Sequence, residues 1–483
     1  MSKEIYAIIL AANSGEKLWP LTDKLNPLST FTRQEEYEYT VLQKTFINLV
    51  DCVDDKNIVC TTDTKSREYI EKQLKEMQEK FCRTTEYKII EEPVSMGTAT
   101  AAALSVKYLS EKIAKEGEDA TIILMPSDRL IKGNLKLDYF LEKGKQMAQE
   151  GYIVCLGTRP NRADTNLSYV TTRNDKKLAE ISKRTLRVSK YITKPTTAEA
   201  KKLIKDKKIF ADCGIYMFNA STFFSRLKTT SPQLFKALQE IEIRDTAPAV
   251  EYNIYEKLGE GKIEEELIEK ASKMAVIPMN IEIEDCDTWA AAERLTPKDK
   301  QGNSFTGNCE DIESKNTFVF SSSRLVATAG LKDVYVIETP ETVLVCNKED
   351  ISKTKELQKQ IKKNKKTVAN ETVIKPWGYF TVLQKGEGYL TKMIYVNPHA
   401  RLSLQTHDHR SEHWVVLSGQ AKVIKGEEEI ILKVSEGIDI KVKEPHSLQN
   451  PYDVPLKVLE VQTGELLSED DIKRIEDIYG RVK

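Results

Sequence analysis

Short apolar runs alternate with longer amphipathic segments through the first half of the chain. The apolar runs, which we interpret as buried strands, occupy positions 5–12, 57–60, 87–90, 120–128 and 152–158. Segments 65–82 and 97–117, which lie between them, carry apolar residues at helical spacing. This alternation of strand and helix predicts a parallel sheet covered by helices on both faces.

Two polar loops follow strands of this predicted sheet. Residues 13–17 come directly after the first apolar run, and residues 126–128 end the fourth. Because ligands bind at the carboxyl ends of the strands in such sheets, we expect these loops to form part of a binding site.

The pattern changes beyond the middle of the chain. Segment 297–345 combines short apolar runs with Asn, Gly and Ser turns, which predicts a small layer of strands. We interpret the lysine-rich segment 350–370 as an exposed connecting helix. From Val373 onward, closely spaced short strands predict a sandwich or barrel. The expected domains are 1–295, 296–368 and 369–483.

Length, charge and cysteine usage narrow the class of protein. A chain of 483 residues is long enough for two or three domains. Its formal net charge of -1 argues against nucleic acid or an anionic membrane as a partner. Apolar runs stay well below the roughly 18 residues of a membrane span. The eight cysteines form no CxxC pair, which favours reduced thiols in a cytoplasmic protein.

The five histidines are concentrated at one end of the chain. All lie at or after His399, and four fall within positions 399–413. On a strand, Gln405, His407 and His409 would begin on one face. Together with Glu412 and the later His446, they offer imidazoles, an amide oxygen and a carboxylate. Such a set predicts a site for Zn²⁺ or another divalent ion.

The C-terminal motifs resemble the cupin barrel, and in detail the phosphomannose isomerase domain of bifunctional phosphomannose isomerase/GDP-mannose pyrophosphorylases. The matching residues are Lys375-Pro376-Trp377-Gly378, Ser403-Leu404-Gln405, Arg410, Glu412-His413-Trp414, Glu469-Asp470-Asp471-Ile472, Arg474, Asp477 and Tyr479-Gly480-Arg481. Gln405, where most cupins have a first His, is itself a marker of this family. The match spans about 110 residues, from 369 to the end of the chain.

The resemblance implies an isomerase that interconverts mannose 6-phosphate and fructose 6-phosphate. Its metal ligands would be Gln405, His407, Glu412 and His446. The family chemistry favours Zn²⁺, with Co²⁺, Mn²⁺ or Mg²⁺ as alternatives. The metal would polarise the sugar oxygens at C1 and C2, while another group moves the proton between these carbons. The sequence does not identify that group.

Other residues of this segment have weaker assignments. We expect Arg410 to bind phosphate or to stabilise the enediolate, with a surface ion pair as the alternative. Lys392, Glu460 and Arg481 are further candidates for the pocket. The remaining predictions are that Asp470 and Asp471 cap a final helix, that His413 is a core or surface residue, and that His399 has no role.

The first 295 residues resemble the nucleotidyltransferase half of the same family. The resemblance implies a Rossmann-like, glycosyltransferase-A-like α/β domain, followed by the small β-rich linker domain and the all-β cupin barrel. It implies transfer of a guanylyl group from GTP to mannose 1-phosphate, with Mg²⁺ held by Asp128 and Asp285. The implied nucleotide-binding positions are Ala12, Asn13, Gly15, Glu92 and Thr98. Lys17 would neutralise phosphate charge, and Lys194 would bind the sugar phosphate.

The phosphate loop departs from the family pattern. Ala12 and Asn13 replace two glycines, Glu16 adds a negative charge, and Lys17 replaces an Arg. Leu28 stands at the position of the family's catalytic Lys, unless Lys24 serves instead. Further changes include Arg129 in place of His and Thr193 in place of Glu.

Three hypotheses follow from these observations. The chain is a bifunctional enzyme of GDP-mannose synthesis, or an isomerase whose first domain only binds a nucleotide-sugar or serves oligomerisation. A purely structural or sugar-binding cupin is the third. The expected partners are GTP and mannose phosphates, and the resemblance leaves a homo-oligomer open.

Overall fold

The chain divides into two units. The computed structural model describes residues 5–12, 18–21, 39–50, 52–64, 66–81, 87–115, 117, 119–132, 135, 137–244, 248–339, 342–364 and 372–476. The first unit comprises residues 1–243 and 254–297, and the second comprises 244–253 and 298–483. Within the described ranges, no helix combines the length and the apolar character needed to cross a membrane.

The first unit is an α/β domain. Its strands are β1 (Ile5–Leu10), β2 (Ile58–Asp63), β3 (Lys88–Glu92), β4 (Thr121–Pro126), β5 (Arg129–Lys132), β6 (Ile153–Thr158), β7 (Tyr169–Arg173), β8 (Leu186–Ile192), β9 (Ile209–Asn219), β10 (Met274–Met279) and β11 (Glu282–Asp285). Its α-helices are α1 (Val41–Val50), α2 (Arg67–Lys80), α3 (Thr98–Tyr108), α4 (Leu137–Gln149), α5 (Lys176–Ile181), α6 (Thr197–Leu203), α7 (Ala220–Thr230) and α8 (Pro232–Gln239). Two more helices are α9 (Tyr252–Tyr255), which begins in the other unit's segment, and α10 (Trp289–Leu295). Shorter helical turns lie at Asp55–Asn57, Leu109–Ile113, Glu256–Leu258 and Glu264–Ile268.

The large sheet of this unit is mixed, which corrects the expectation of a parallel sheet. Its strand order is β3-β2-β1-β4-β9-β6-β10-β8-β7. Strands β1 to β4 are parallel, but β9 runs antiparallel to both β4 and β6. All eleven residues of β9 are buried. A continuous buried run has the same pattern in either direction, so the apolar pattern could not reveal the reversal.

The second unit begins with stacked short strands, as the turn-rich segment predicts. These are β12 (Ser304–Thr306), β13 (Cys309–Ile312), β14 (Phe318–Ser321), β15 (Val326–Ala329), β16 (Val334–Glu338) and β17 (Val343–Asn347). Strands β12, β14 and β16 pair in parallel, β17 closes that sheet antiparallel to β16, and β13 pairs in parallel with β15. A helical turn at Lys348–Lys353 leads into α11 (Thr354–Lys363), where a connecting helix was expected.

The rest of the second unit is the all-β barrel. Its strands are β18 (Thr372–Lys375), β19 (Gly378–Gly386), β20 (Tyr389–Val396), β21 (Leu404–His407), β22 (Arg410–Ser418), β23 (Ala421–Lys425), β24 (Glu428–Leu432), β25 (Gly437–Ile440), β26 (His446–Gln449), β27 (Leu456–Gly464) and β28 (Ile472–Glu476). They form a six-stranded sheet, β18-β19-β20-β27-β22-β25, and a five-stranded sheet, β24-β23-β26-β21-β28. Trp414 and Val458 of one sheet share a buried apolar cluster with Val423 and Leu448 of the other. The two sheets therefore pack around one core.

The expected final helix is wrong for the described residues. Only Glu469–Asp471 forms a helical turn, and strand β28 follows it directly. The cap of that turn is Ser468, whose hydroxyl accepts from the Asp470 amide at 3.2 Å.

Candidate metal and substrate site

The four expected metal ligands of the barrel lie together. The alternation of buried positions on β21 places Gln405 and His407 on its inner face, and His446 opens β26 directly opposite Gln405. Nε2 of His407 lies 3.2 Å from Nε2 of His446 and 3.1 Å from Oε1 of Glu412. The Gln405 amide comes within 3.4 Å of His407 Nε2. Ligand atoms of the two histidines and Glu412 all lie within 4.8 Å of one another.

The outer nitrogen of each imidazole is anchored to a backbone carbonyl. His446 Nδ1 lies 2.8 Å from the carbonyl oxygen of Glu444, and His407 Nδ1 lies 3.4 Å from that of Asp471. A proton on Nδ1 donates to the carbonyl and leaves the Nε2 lone pair directed inward. This arrangement is typical of metal-binding histidines. A metal would bind Gln405 through Oε1, which a half-turn of the amide brings inward.

Asp471 has a different role from the predicted helix cap. Its carboxylate accepts from the backbone amides of Asp408 and His409, at 3.1 and 3.2 Å. These bonds hold the turn that directly follows His407, and the carbonyl of Asp471 meets the His407 ring. Sequence reasoning missed this positioning role, because the contact joins positions more than sixty residues apart.

Arg410 is a buried part of the site, so the alternative of a surface ion pair is wrong. Its side chain is 2% exposed. Nε donates to Oε1 of Glu412 at 3.0 Å, and Nη1 donates to the Ser468 carbonyl at 2.7 Å. Nη2 lies 3.4 Å from His407 Nε2. Arg410 and Glu412 share the inner face of β22 because they are two residues apart.

The protonation of the site suits a cation. Burial alone would raise the pKa of Glu412, but its contacts with His407, His446 and Arg410 hold that pKa well below its usual range. Burial also lowers the pKa of His446. An ionised carboxylate beside a neutral imidazole is the ligand state that a divalent metal requires.

A second carboxyl, Glu460, faces the same space from β27. The Trp414 indole donates to Glu412 at 3.1 Å and to Glu460 at 3.2 Å. Gln462 likewise donates to both carboxylates, at 3.1 and 2.9 Å. Burial and the neighbouring Glu412 raise the pKa of Glu460 to about 8. Lys392 lies 3.9 Å from Glu460 but only 3.0 Å from Glu469.

Several of these groups line a cavity in the barrel. Its lining residues are Lys375, Trp377, Phe380, Lys392, Ile394, Leu402, Ser403, Gln405, Arg410, Glu412, Glu460, Gln462, Glu469, Ile472 and Arg474. The cavity combines an aromatic wall with four cationic and three acidic side chains. It is therefore suited to a small, polar and anionic ligand.

The other three histidines lie outside this cluster. His409 is exposed, because β21 ends at His407 and the strand alternation does not continue to it. His413 pairs with Asp439 at 2.7 Å on the outer face, as expected for a surface histidine. His399 pairs with Asp453 at 2.8 Å and is also exposed. Arg481, a further candidate for the pocket, lies outside the described residues.

In the first unit, three aspartates lie at the ends of neighbouring elements. Ligand atoms of Asp128, Asp285 and Asp287 lie within 4.8 Å of one another. The amide of Cys286 donates to the Asp128 carbonyl at 2.8 Å, which joins the two segments. The structure thus brings together the two expected magnesium ligands and adds Asp287, which the family motif did not indicate. Its spacing of two residues from Asp285 was the available signal.

A partly buried arginine lies beside these aspartates. Nη1 of Arg129 donates to the Asp212 carbonyl at 3.0 Å. Burial alone would lower the pKa of Arg129, but the negative charges of Asp285, Asp128 and Asp212 outweigh it and raise that pKa. Arg129 is therefore a permanent positive charge next to the carboxylates.

The remaining residues expected to bind nucleotide or sugar have mixed surroundings. Glu92 is fully buried and accepts a hydrogen bond from Tyr255. Thr98 begins α3 and accepts from the Ile263 amide at 3.0 Å. Lys194 lies 3.6 Å from Glu265. Ala12 closely follows β1 at its carboxyl end. Asn13, Gly15, Lys17, Lys24 and Leu28 lie outside the described residues.

Three protein families match successive parts of the chain. The family described as "Nucleotidyl transferase" matches residues 6–290. "MannoseP isomerase/GMP-like beta-helix domain" matches 307–361, and "Mannose-6-phosphate isomerase C-terminal" matches 362–477.

Several known proteins are similar to this chain over almost its whole length. The alginate biosynthesis protein AlgA of Pseudomonas syringae pv. tomato is 30% identical over 482 residues, covering 98% of this chain and 96% of its own. Mannose-1-phosphate guanylyltransferase 2 of Escherichia coli O157:H7 is 29% identical over 483 residues, covering 98% of each chain. The crystal structure of a mannose-1-phosphate geranyltransferase from Thermus thermophilus superimposes with a TM-score of 0.58. At 22% identity it covers 74% of this chain and 99% of its own, and it shows a shared fold.

Proposed function

The chain belongs to the nucleotidyl transferase family, in the group that joins this domain to a C-terminal mannose-6-phosphate isomerase domain, and we propose that it is a bifunctional enzyme of GDP-mannose synthesis. The barrel interconverts mannose 6-phosphate and fructose 6-phosphate. The first domain joins mannose 1-phosphate to GTP and releases pyrophosphate. The single observation that carries the isomerase is the buried cluster of His407, Glu412 and His446. Its Glu412 lines a cavity that also has four cationic side chains.

We place the three domains at 1–295, 296–368 and 369–483. The family matches at 6–290, 307–361 and 362–477 support this division. The last two matches meet near the end of α11, which supports its interpretation as a connector.

The barrel residues fit a divalent metal. His407, His446, Glu412 and Gln405 supply two nitrogens and two oxygens, which favours Zn²⁺ over the harder Mg²⁺. When bound, the metal polarises the sugar oxygens at C1 and C2 and stabilises negative charge there. The chain itself orients the ligands, through the Glu444 carbonyl, the Asp471 carbonyl and the buried guanidinium of Arg410.

Proton transfer between C1 and C2 requires a further group in the cavity. Two lining carboxyls are not assigned to the metal. Glu469 is held by Lys375 at 3.3 Å and by Lys392 at 3.0 Å. Glu460 lies deeper, beside Glu412, and Lys392 is 3.9 Å away from it. We assign the proton transfer to the Glu460 carboxylate, which takes the proton from C2 of mannose 6-phosphate and delivers it to C1, while the hydroxyl proton moves from O2 to O1.

In the first domain, Asp128, Asp285 and Asp287 are placed to hold Mg²⁺ on a triphosphate. One observation favours a second candidate function, in which this domain only binds a nucleotide-sugar. Arg129 already places a positive charge beside the same carboxylates. That charge reduces the attraction of the site for a cation.

The deciding experiment measures pyrophosphate release from GTP and mannose 1-phosphate with Mg²⁺. The same preparation is assayed for isomerisation of mannose 6-phosphate, which controls for correct folding. Bifunctionality predicts both activities. Isomerisation without pyrophosphate release would support the second candidate, and absence of isomerisation from folded, metal-loaded protein would contradict the proposed function of the barrel.

A further inference from the structure

Arg474 has a buried donor without a partner in the barrel cavity. It lies on β28 and lines the space described above. Its Nε is buried and makes no hydrogen bond to the described part of the protein. A buried guanidinium nitrogen without an acceptor costs free energy, which a bound anion would recover.

The strand register directs Arg474 toward the metal cluster. In the antiparallel pairing of β21 with β28, Arg474 stands opposite Gln405. Residues directly opposite each other in antiparallel strands project from the same side of the sheet. Arg474 and Gln405 accordingly line one cavity, and the Gln405 amide reaches the ring of His407.

The other cations of the cavity are already engaged. Arg410 donates to Glu412 and to the Ser468 carbonyl. Lys375 and Lys392 both pair with Glu469, and burial of that carboxyl is outweighed by their charges, which lower its pKa. Among the cavity cations in the described part of the chain, Arg474 is the one without a carboxylate partner.

We propose that Arg474 binds the phosphate group of the sugar phosphate in the barrel cavity. The inference rests on the proposed isomerase function and names the residue that distinguishes a phosphorylated sugar from a plain one. A guanidinium presents several donors in a fixed fork, which matches the oxygens of a phosphate dianion. With its phosphate at Arg474, an open-chain hexose phosphate extends its reacting end toward the cluster around His407.

The test compares two ligands in four forms of the full-length, Zn²⁺-loaded protein. Wild type, Arg474→Gln, Arg474→Lys and Arg401→Gln are titrated with mannose 6-phosphate and with inorganic phosphate by calorimetry. Arg401 is the matched control, because it is a partly exposed arginine that pairs with Glu476 of the same strand as Arg474 at 2.9 Å. KM and kcat for mannose 6-phosphate and for unphosphorylated mannose are measured in parallel.

The proposal predicts that Arg474→Gln weakens binding of both phosphate ligands by about 10- to 100-fold. Arg474→Lys shows a smaller loss, because it keeps the charge without the fork. Arg401→Gln binds as wild type does, and Arg474→Gln lowers kcat/KM for mannose 6-phosphate by a larger factor than kcat/KM for mannose. Bound zinc, measured by atomic absorption, stays constant.

Several outcomes would overturn the proposal. These are affinity of Arg474→Gln close to that of wild type, equal losses for mannose and its phosphate, or absence of phosphate binding by wild type. The isomerase function and the role of Arg474 can be contradicted independently. Arg474-dependent binding without turnover contradicts the isomerase function alone, whereas turnover with an unchanged KM in Arg474→Gln contradicts the role of Arg474 alone.

Discussion

At the scale of single residues, the barrel site is held from its outer side by backbone groups. The carbonyls of Glu444 and Asp471 meet the outer nitrogens of the two histidines. The Asp471 carboxylate additionally binds two consecutive amides in the turn after His407. The direction of each imidazole is therefore fixed before a metal arrives, which lowers the entropic cost of binding.

Loss of the Asp471 carboxylate is expected to weaken metal binding. Asp471→Ala should raise the dissociation constant for Zn²⁺ by about 10- to 100-fold, because the turn that orients His407 loses both acceptors. The measurement is competition with a chromophoric chelator. Asp470→Ala is the neighbouring control, since Asp470 is exposed and its hydrogen bonds go to Ser468. Equal losses in both variants would contradict a specific role for Asp471.

The assignment of Glu460 predicts a defect in turnover rather than in binding. Glu460→Gln keeps the size of the side chain but cannot exchange a proton. We expect kcat for mannose 6-phosphate to fall by about 10²- to 10⁴-fold. Zinc content and KM should change little. Retention of wild-type kcat would assign the proton transfer to another residue.

At the scale of secondary-structure elements, much of the fold follows from the sequence. The buried runs of β1, β2, β4 and β6 and the helical spacing of α2 predict those elements to within a few residues. The direction of β9 and the existence of strand β28 could not be predicted from the sequence. A fully buried strand such as β9 has an apolar pattern that gives no information on its direction. Asp471 is of a residue type that suits a helix cap, but its carboxylate instead binds the turn after His407.

The candidate site was predictable to a similar degree. Strand alternation and the family motifs predicted that Gln405, His407, Glu412 and His446 lie together, because each motif occupies a short stretch of sequence. Asp471 and the neighbourhood of Arg474 depend on the pairing of β21 with β28. Such pairing brings together residues that are distant along the chain, and a single sequence does not encode it as a visible pattern.

Glu92, the last residue of β3, should make the folding stability of the first unit depend on pH. Burial raises the pKa of Glu92 from 4.5 to about 8. Between these values the folded state holds a proton that the unfolded state releases, so stability falls as the pH rises from about 4.5 to 8. Glu92→Gln should remove this contribution.

Urea unfolding at mildly acidic, neutral and mildly basic pH would measure the effect. The midpoint of the wild type should fall relative to that of Glu92→Gln as the pH rises. Glu79→Gln, which changes an exposed carboxyl on α2, serves as the control and should follow the wild type. Parallel pH dependence of the wild type and Glu92→Gln would show that Glu92 ionises normally.

At the scale of the whole molecule, the two candidate sites belong to separate compact units. The aspartates lie in the first unit and the metal cluster of the barrel in the second. The two activities should therefore be lost independently. His446→Ala should abolish isomerisation and leave pyrophosphate release unchanged, while Asp285→Asn should have the opposite effect. Loss of both activities in either variant, with the protein still folded, would contradict independent sites.

The most direct test of the central proposal is the dependence of isomerisation on the barrel metal. The full-length protein is stripped with a chelator, and conversion of mannose 6-phosphate to fructose 6-phosphate is followed while Zn²⁺ is added back. The predicted result is a loss of about three orders of magnitude or more, which Zn²⁺ reverses in the wild type but not in His407→Ala. Full turnover by the stripped protein would contradict a metal-dependent isomerase at His407, Glu412 and His446.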